Sequence, residues 1–206
     1  MKGLFITLEG GEGSGKSTAI NAINEYFLSR GYKTLVSREP GGIKIGEEIR
    51  SVILDKENTM MTPECETLLY AASRIQLLNE KIIPALNDGI VVILDRYIDS
   101  SFVYQGVARG VGIKNVERAN GFALSYMPNI TFFLDVRPEV GLKRLSGRDK
   151  MDRLDLESID FHNKVYNGYL EVMGMYPERI KRIDGEQAPE LVIKQITDVL
   201  DKVIKG

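Results

Sequence analysis

The sequence predicts a three-layer α/β fold, a five-stranded parallel sheet with helices on both faces. Three observations predict it. Five apolar runs, at 4–8, 34–36, 90–94, 130–134 and, more weakly, 180–183, lack polar alternation, as strands covered on both faces require. Stretches with apolar residues at helical spacing separate these runs, so strand and helix alternate. The first run leads directly into Gly10-Gly11-Glu12-Gly13-Ser14-Gly15-Lys16-Ser17, which fits G-x-x-x-x-G-K-[ST], a phosphate-binding loop.

The elements follow in order. Leu4-Phe5-Ile6-Thr7-Leu8 reads as a buried strand, and 16–30 as the helix after the glycine loop. A triphosphate is a dense anion, and backbone N–H groups surround it only where side chains are absent. The following helix directs its unpaired N–H groups and positive dipole end at the same phosphates. Gly10 to Thr18 are therefore the candidate ATP-binding residues. Lys16 supplies a point charge for the β and γ phosphates, and the Ser17 hydroxyl is a candidate Mg²⁺ ligand.

The strand at 34–36 leads into Ser37-Arg38-Glu39-Pro40-Gly41-Gly42, whose proline and glycines force a sharp, backbone-exposed loop. Helices are predicted over 45–55 and 63–87, and in the second Tyr70 and Arg74 share a face, four residues apart. The strand at 90–94 closes on Asp95-Arg96-Tyr97, and helices over 99–107 and 113–125 follow. The strand at 130–134 ends at Asp135, with helices over 138–146, 157–175 and 188–204 beyond it, the last two flanking the weak fifth strand.

In a doubly wound sheet, ligands sit beyond the carboxyl ends of the strands. The residues there are charged. Asp95 ends an apolar strand at the place where phosphate-loop enzymes hold Mg²⁺. Arg96 beside it offers a planar fork matched to phosphate. One strand end thus supplies a metal carboxylate and a phosphate clamp, which suits two phosphorylated molecules. Asp135 lacks an adjacent arginine and reads as structural.

Composition bounds the rest. A length of 206 residues suits one domain over 1–206 with a full core. A net charge of −2 gives no basic field for nucleic acid or anionic membrane. Cys65 is the single cysteine, so no internal disulfide forms, which fits a reducing compartment. We expect it to be buried and inert. No apolar run approaches the ~20 residues of a spanning helix, and none reads as a signal peptide, so the expected address is the cytoplasm. Asn-Lys-x-Asp, needed by a guanine-nucleotide switch, and Leu-Ser-Gly-Gly-Gln, needed by a transporter ATPase, are both absent. Another nucleoside or nucleotide kinase would keep the chemistry and change only the pocket.

Five motifs together resemble the bacterial thymidylate kinases, P-loop nucleoside monophosphate kinases with the P-loop NTPase fold, over essentially the whole chain. They are the acid-containing phosphate loop, Arg38-Glu39-Pro40-Gly41-Gly42, Tyr70-Ala71-Ala72-Ser73-Arg74, Asp95 to Ser101 with Tyr104-Gln105, and Arg153-Leu154-Asp155 with Phe161-His162. The resemblance implies transfer of phosphate from ATP to dTMP with Mg²⁺, by a homodimer. It places Glu12 near the acceptor sugar, Arg38 and Arg96 at the acceptor phosphate and Glu39 near the metal, with Arg50 lining the base pocket. Tyr70 stands where the family commonly has Phe and stacks on thymine. Arg74, Ser101 and Gln105 read the base, and Tyr104 crowds a 2′-hydroxyl. It also implies a lid around 143–157 that delivers a catalytic arginine, Arg153 first and Arg148 second, because the loop carries Glu12 and Ser14 and no arginine. His162 reads as structural.

Overall fold

The computed structural model describes residues 3–145 and 153–205. Its sheet has five strands: β1 (Phe5–Glu9), β2 (Thr34–Arg38), β3 (Val91–Asp95), β4 (Ile130–Asp135) and β5 (Ile180–Asp184). All pair in parallel, in the order β2-β3-β1-β4-β5. The chain leaves β1 toward β2 on one side and later adds β4 and β5 on the other. The crevice beyond the carboxyl end of β1 is therefore the topological switch point, and the glycine loop occupies it.

Successive strand residues feed two cores, which explains the missing alternation. Phe5, Val92, Leu94 and Phe133 enter one cluster, and Ile6, Leu8, Val91, Ile93, Phe132 and Leu134 the other. The second core is closed by α1 (Lys16–Leu28) and α9 (Pro189–Lys205). The first is closed by α3 (Pro63–Leu77), α4 (Ile83–Asn87), α5 (Ile98–Ser101) with its π-helical continuation Phe102–Ala108, α6 (Ile113–Ala119) and α8 (Ile159–Met175). α2 (Lys44–Leu54) packs on α3, and α7 (Pro138–Leu145) follows β4 and packs on α8.

The helices differ from the sequence expectation in instructive ways. The helix expected over 63–87 starts where Thr62 accepts a hydrogen bond from Cys65 N–H and Pro63 occupies the first turn. It then widens into a π-helical turn, Leu78–Ile82, directly before Pro84, which has no N–H to give the ladder. The expected 113–125 helix ends at Ala119 and resumes as a 3₁₀ turn, Ala123–Tyr126, across Gly121. The helix expected from 157 starts at Ile159, because Ser158 caps it through Phe161 N–H.

The strands run one or two residues past their apolar cores, and β2 reaches Arg38 because Ser37 and Arg38 pair with Leu94 and Asp95. Glu9, Arg38, Asp95, Asp135 and Asp184 thus line one edge of the sheet.

Candidate active site

A cavity of about 410 Å³ opens on that edge. The glycine loop from Glu12 to Thr18 lines it, together with Arg38, Glu39, Arg50, Asp95, Arg96 and Tyr104. Leu54, Tyr70, Gln105 and Leu154 add apolar, aromatic and amide surface.

The loop is built by close backbone approach. Gly13 has φ +68°, and a Cβ there would meet Gly141 O of α7 at 2.1 Å. A Cβ on Gly141 would in turn meet Glu12 O at 2.2 Å, so the loop and α7 hold each other's shape through two missing side chains. Lys16, the first residue of α1, folds back over the loop. Its ammonium donates to Gly10 O (3.2 Å), Gly11 O (3.1 Å) and Ser14 Oγ (3.3 Å). Burial and the neighbouring Arg96 push its pKa down, with Glu12 pulling the other way.

Arg96 adopts φ +64°, a left-handed conformation costly for a non-glycine residue by roughly 1–3 kcal/mol. A residue that sequence reasoning missed supports this turn. Glu9, the buried last residue of β1, accepts from Tyr97 N–H (2.8 Å), Ser100 N–H (3.3 Å), Ser100 Oγ (2.5 Å) and Tyr169 OH (2.9 Å). Burial and repulsion from Asp99 push its carboxyl up to about 7. The guanidinium so presented donates to Gly10 O (2.9 Å), Tyr169 OH (3.0 Å) and Glu12 Oε1 (2.5 Å). Tyr104 OH reaches the same Glu12 oxygen at 3.1 Å. Burial opposes charge on Glu12, but Arg96 and then Lys16 outweigh it and hold its pKa down at about 2.

Two carboxylate oxygens at the cavity, Asp95 Oδ1 and Glu39 Oε1, are buried without a hydrogen-bond partner among the described residues. Buried acceptors of that kind call for a cation or water. No group of three or more His, Cys, Asp or Glu side chains forms a metal cage among the described residues. Ser17 and Asp95 therefore fit an ion held by one or two protein oxygens plus phosphate and water, the usual habit of Mg²⁺. Burial, reinforced by Glu9 and opposed by Arg74, raises the Glu39 carboxyl to about 7.

Most of the expected residues line the cavity: Glu12 to Thr18, Arg38, Glu39, Arg50, Tyr70, Asp95, Arg96, Tyr104 and Gln105. Gly10 and Gly11 sit at the base of the loop, where they accept from Lys16.

Arg74 departs from the expectation. It is 1% exposed and does not line the cavity. Its guanidinium is taken up by Glu39 Oε2 (2.8 Å), Asn120 Oδ1 (2.6 Å), Tyr97 O (3.2 Å) and Ser101 Oγ (3.1 Å). Ser101 is buried with it, also away from the cavity lining.

Arg153 lies against Ile53 O and Glu66 Oε2, at the end of α2, not over the glycine loop. Arg148 lies outside the described residues. Arg144, at the start of the expected lid around 143–157, lines the cavity and donates to Gly185 O at 3.1 Å.

Other expectations resolve simply. Asp135 pairs with Arg182 of β5 at 2.6 Å, a structural role. His162 is buried beside the Phe161 ring, and its Nε2 has no partner among the described residues. Cys65, expected to be buried, is exposed, because the first turn of α3 turns its side chain outward while Glu66 and Thr67 face in.

Fold and loop together define a P-loop nucleotide-binding protein of the three-layer α/β class. The family model described as thymidylate kinase matches residues 8–196. The chain is 50% identical over 202 residues to a thymidylate kinase of Clostridium novyi (strain NT), spanning 97% of this chain and 98% of that protein. It is 48% identical over 208 residues to a thymidylate kinase of Bacillus licheniformis, spanning 100% and 98%. It is likewise 48% identical over 205 residues to one from Thermoanaerobacter sp. (strain X514), spanning 99% and 100%. The chain belongs to the thymidylate kinase family.

Proposed function

We propose that this protein transfers the γ-phosphoryl group of ATP to dTMP, giving ADP and dTDP. The observation that supports this reading is one cavity lined both by the glycine loop, Arg38 and Arg96 and by the aromatic and amide side chains of Tyr70, Tyr104 and Gln105. Such a lining suits two phosphorylated molecules, one of them carrying a base.

In this reading the loop N–H groups from Gly13 to Thr18 and the Lys16 ammonium hold the donor phosphates. Arg96 and Arg38 hold the acceptor phosphate in line with them. Arg38 reaches it by leaving Glu47, its exposed partner at 2.9 Å. Ser17 and Asp95 are the residues that would hold Mg²⁺, which when bound would neutralise charge on the donor phosphates. Positioning and electrostatics account for the rate, with no covalent intermediate.

The thymine ring lies between Tyr70 and Gln105, with Arg50 at the pocket's edge and Tyr104 and Glu12 against the sugar. Arg74 and Ser101 act one layer behind, by holding Glu39 and the turn at Tyr97. The lid around 143–157 closes over the donor and excludes water. Arg153, which rests on Glu66 before closure, is the first candidate for the arginine it brings to the phosphates, and Arg148, outside the described residues, the second.

We further infer a cytoplasmic homodimer packed through the helical stretch at 63–87, and not also through 97–107 as its apolar sequence invites, because 97–106 is buried within the chain and offers a partner no face. The exposed Leu68 on α3 supports this, and a monomer in sedimentation would contradict it. Calorimetric titration tests the site itself. One dTMP and one non-hydrolysable ATP analogue should bind per chain simultaneously. Mutual competition would contradict the two-ligand cavity.

A further inference from the structure

Glu66 is a fully buried carboxylate on α3, 1% exposed, hydrogen-bonded to Gln105 of the cavity lining. It receives three donors: Gln105 Nε2 at 2.8 Å, Arg109 Nε at 3.4 Å and Arg153 Nη2. We propose that Glu66 sets the base selectivity of this enzyme by fixing which end of the Gln105 amide faces the substrate.

A carboxylate accepts hydrogen bonds and gives none. Turned the other way, Gln105 would set its Oε1 against a carboxylate oxygen in a buried setting, which is repulsive and leaves both unpaired. Nε2 is therefore committed to Glu66. Gln105 lines the cavity, and no donor among the described residues takes its Oε1. What it offers a base at Oε1 is thus an acceptor in a fixed place, whatever the second Nε2 hydrogen meets. Thymine and uracil carry N3–H, a donor that matches it. Cytosine carries a lone pair at N3, which opposes it. The selectivity is written in Glu66, which need not touch the base. Glu66 is a positioning residue, and Gln105 is the reader.

This inference rests on the cavity being the dTMP site. Its test is kcat/KM for dUMP against dCMP, two acceptors that both lack the 5-methyl group and differ at the N3 and C4 edge. The unaltered enzyme should favour dUMP. Glu66→Gln, whose amide can meet Gln105 either way round, should lower the dUMP/dCMP ratio roughly ten- to hundredfold. Gln105→Leu should lower it to the same floor, and the double variant should fall no further. A merely structural role for Glu66 would depress both acceptors together and leave the ratio unchanged, which would overturn the proposal.

Gln105→Leu leaves Glu66 with both arginines. It therefore decides the matter even if Glu66→Gln does not fold, since a wild-type ratio there also overturns the proposal. Failure of the unaltered enzyme to phosphorylate dTMP would remove the underlying site reading, and this inference with it. Activity on dTMP with an unmoved ratio would remove this inference alone.

Discussion

Replacing Arg96 with methionine tests the phosphate end of the site. The substitution keeps an apolar stem and removes the guanidinium that holds Glu12, Gly10 O and Tyr169 OH. Burial works against charge on Glu12, yet Arg96, then Lys16, hold its carboxyl at about 2 instead of the ordinary 4.5. At about 1.4 kcal/mol per pKa unit, that difference is worth about 3 kcal/mol of folding stability. Because the folded-state pKa is depressed, the gain is fully present above about pH 4.5 and is lost as pH falls toward about 2.

In Arg96→Met the burial remains and the main attraction is gone, so the carboxyl rises and the gain disappears. Urea unfolding at about pH 7 should show the variant less stable by about 3 kcal/mol. At about pH 3.5, one unit below the ordinary value, the gap should narrow by about 1.4 kcal/mol. The KM for dTMP should rise strongly in the same variant. An equal gap at both pH values, or an unchanged KM, would refute the reasoning that Arg96 charges Glu12 and clamps the acceptor.

Three further predictions concern the chemistry. Lys16→Ala should lose ~10²-fold or more in turnover, since in the proposed reading its ammonium neutralises charge on the donor phosphates; steady-state kinetics at saturating ATP check this. Asp95→Asn should raise the Mg²⁺ concentration needed for half-maximal rate roughly tenfold, because a carboxylate oxygen with no partner among the described residues becomes a neutral amide. A magnesium titration of the rate reads it. Tyr104→Phe removes the hydroxyl that meets Glu12 at 3.1 Å while keeping the ring, so exclusion of UMP relative to dUMP should largely persist, whereas Tyr104→Ala should relax it. A comparison of kcat/KM for the two acceptors separates ring from hydroxyl.

Much of this architecture was legible because local rules and global fold agree. Apolar runs without alternation mark strands that feed two cores, and the glycine loop needs only its own residues to declare itself. Charges closing each strand mark the functional edge, since parallel strands bring all those ends together. What sequence hid lies in long-range partnerships. Arg74 shares a helix face with Tyr70, yet Glu39, thirty-five positions away, draws it under the cavity wall. Arg153 meets Glu66 across eighty-seven positions. Tyr169 reaches Arg96 across seventy-three, with nothing local to announce it.

Glu9 does carry a signal, an acid closing an otherwise apolar strand, next to the stronger signal of the glycine loop. The π-helical turn before Pro84 was foreshadowed by proline's missing donor. The one after Ser101 has no such local cause.

ADP release with ATP and Mg²⁺, measured without acceptor and then with dTMP, dUMP, UMP, CMP, GMP or thymidine, tests the central claim most directly. The account predicts release that depends on acceptor, strong with dTMP, weaker with dUMP and negligible with UMP and thymidine. Release equal with and without acceptor would mean an ATPase. A preference for another monophosphate would keep the loop chemistry and contradict the base pocket described here.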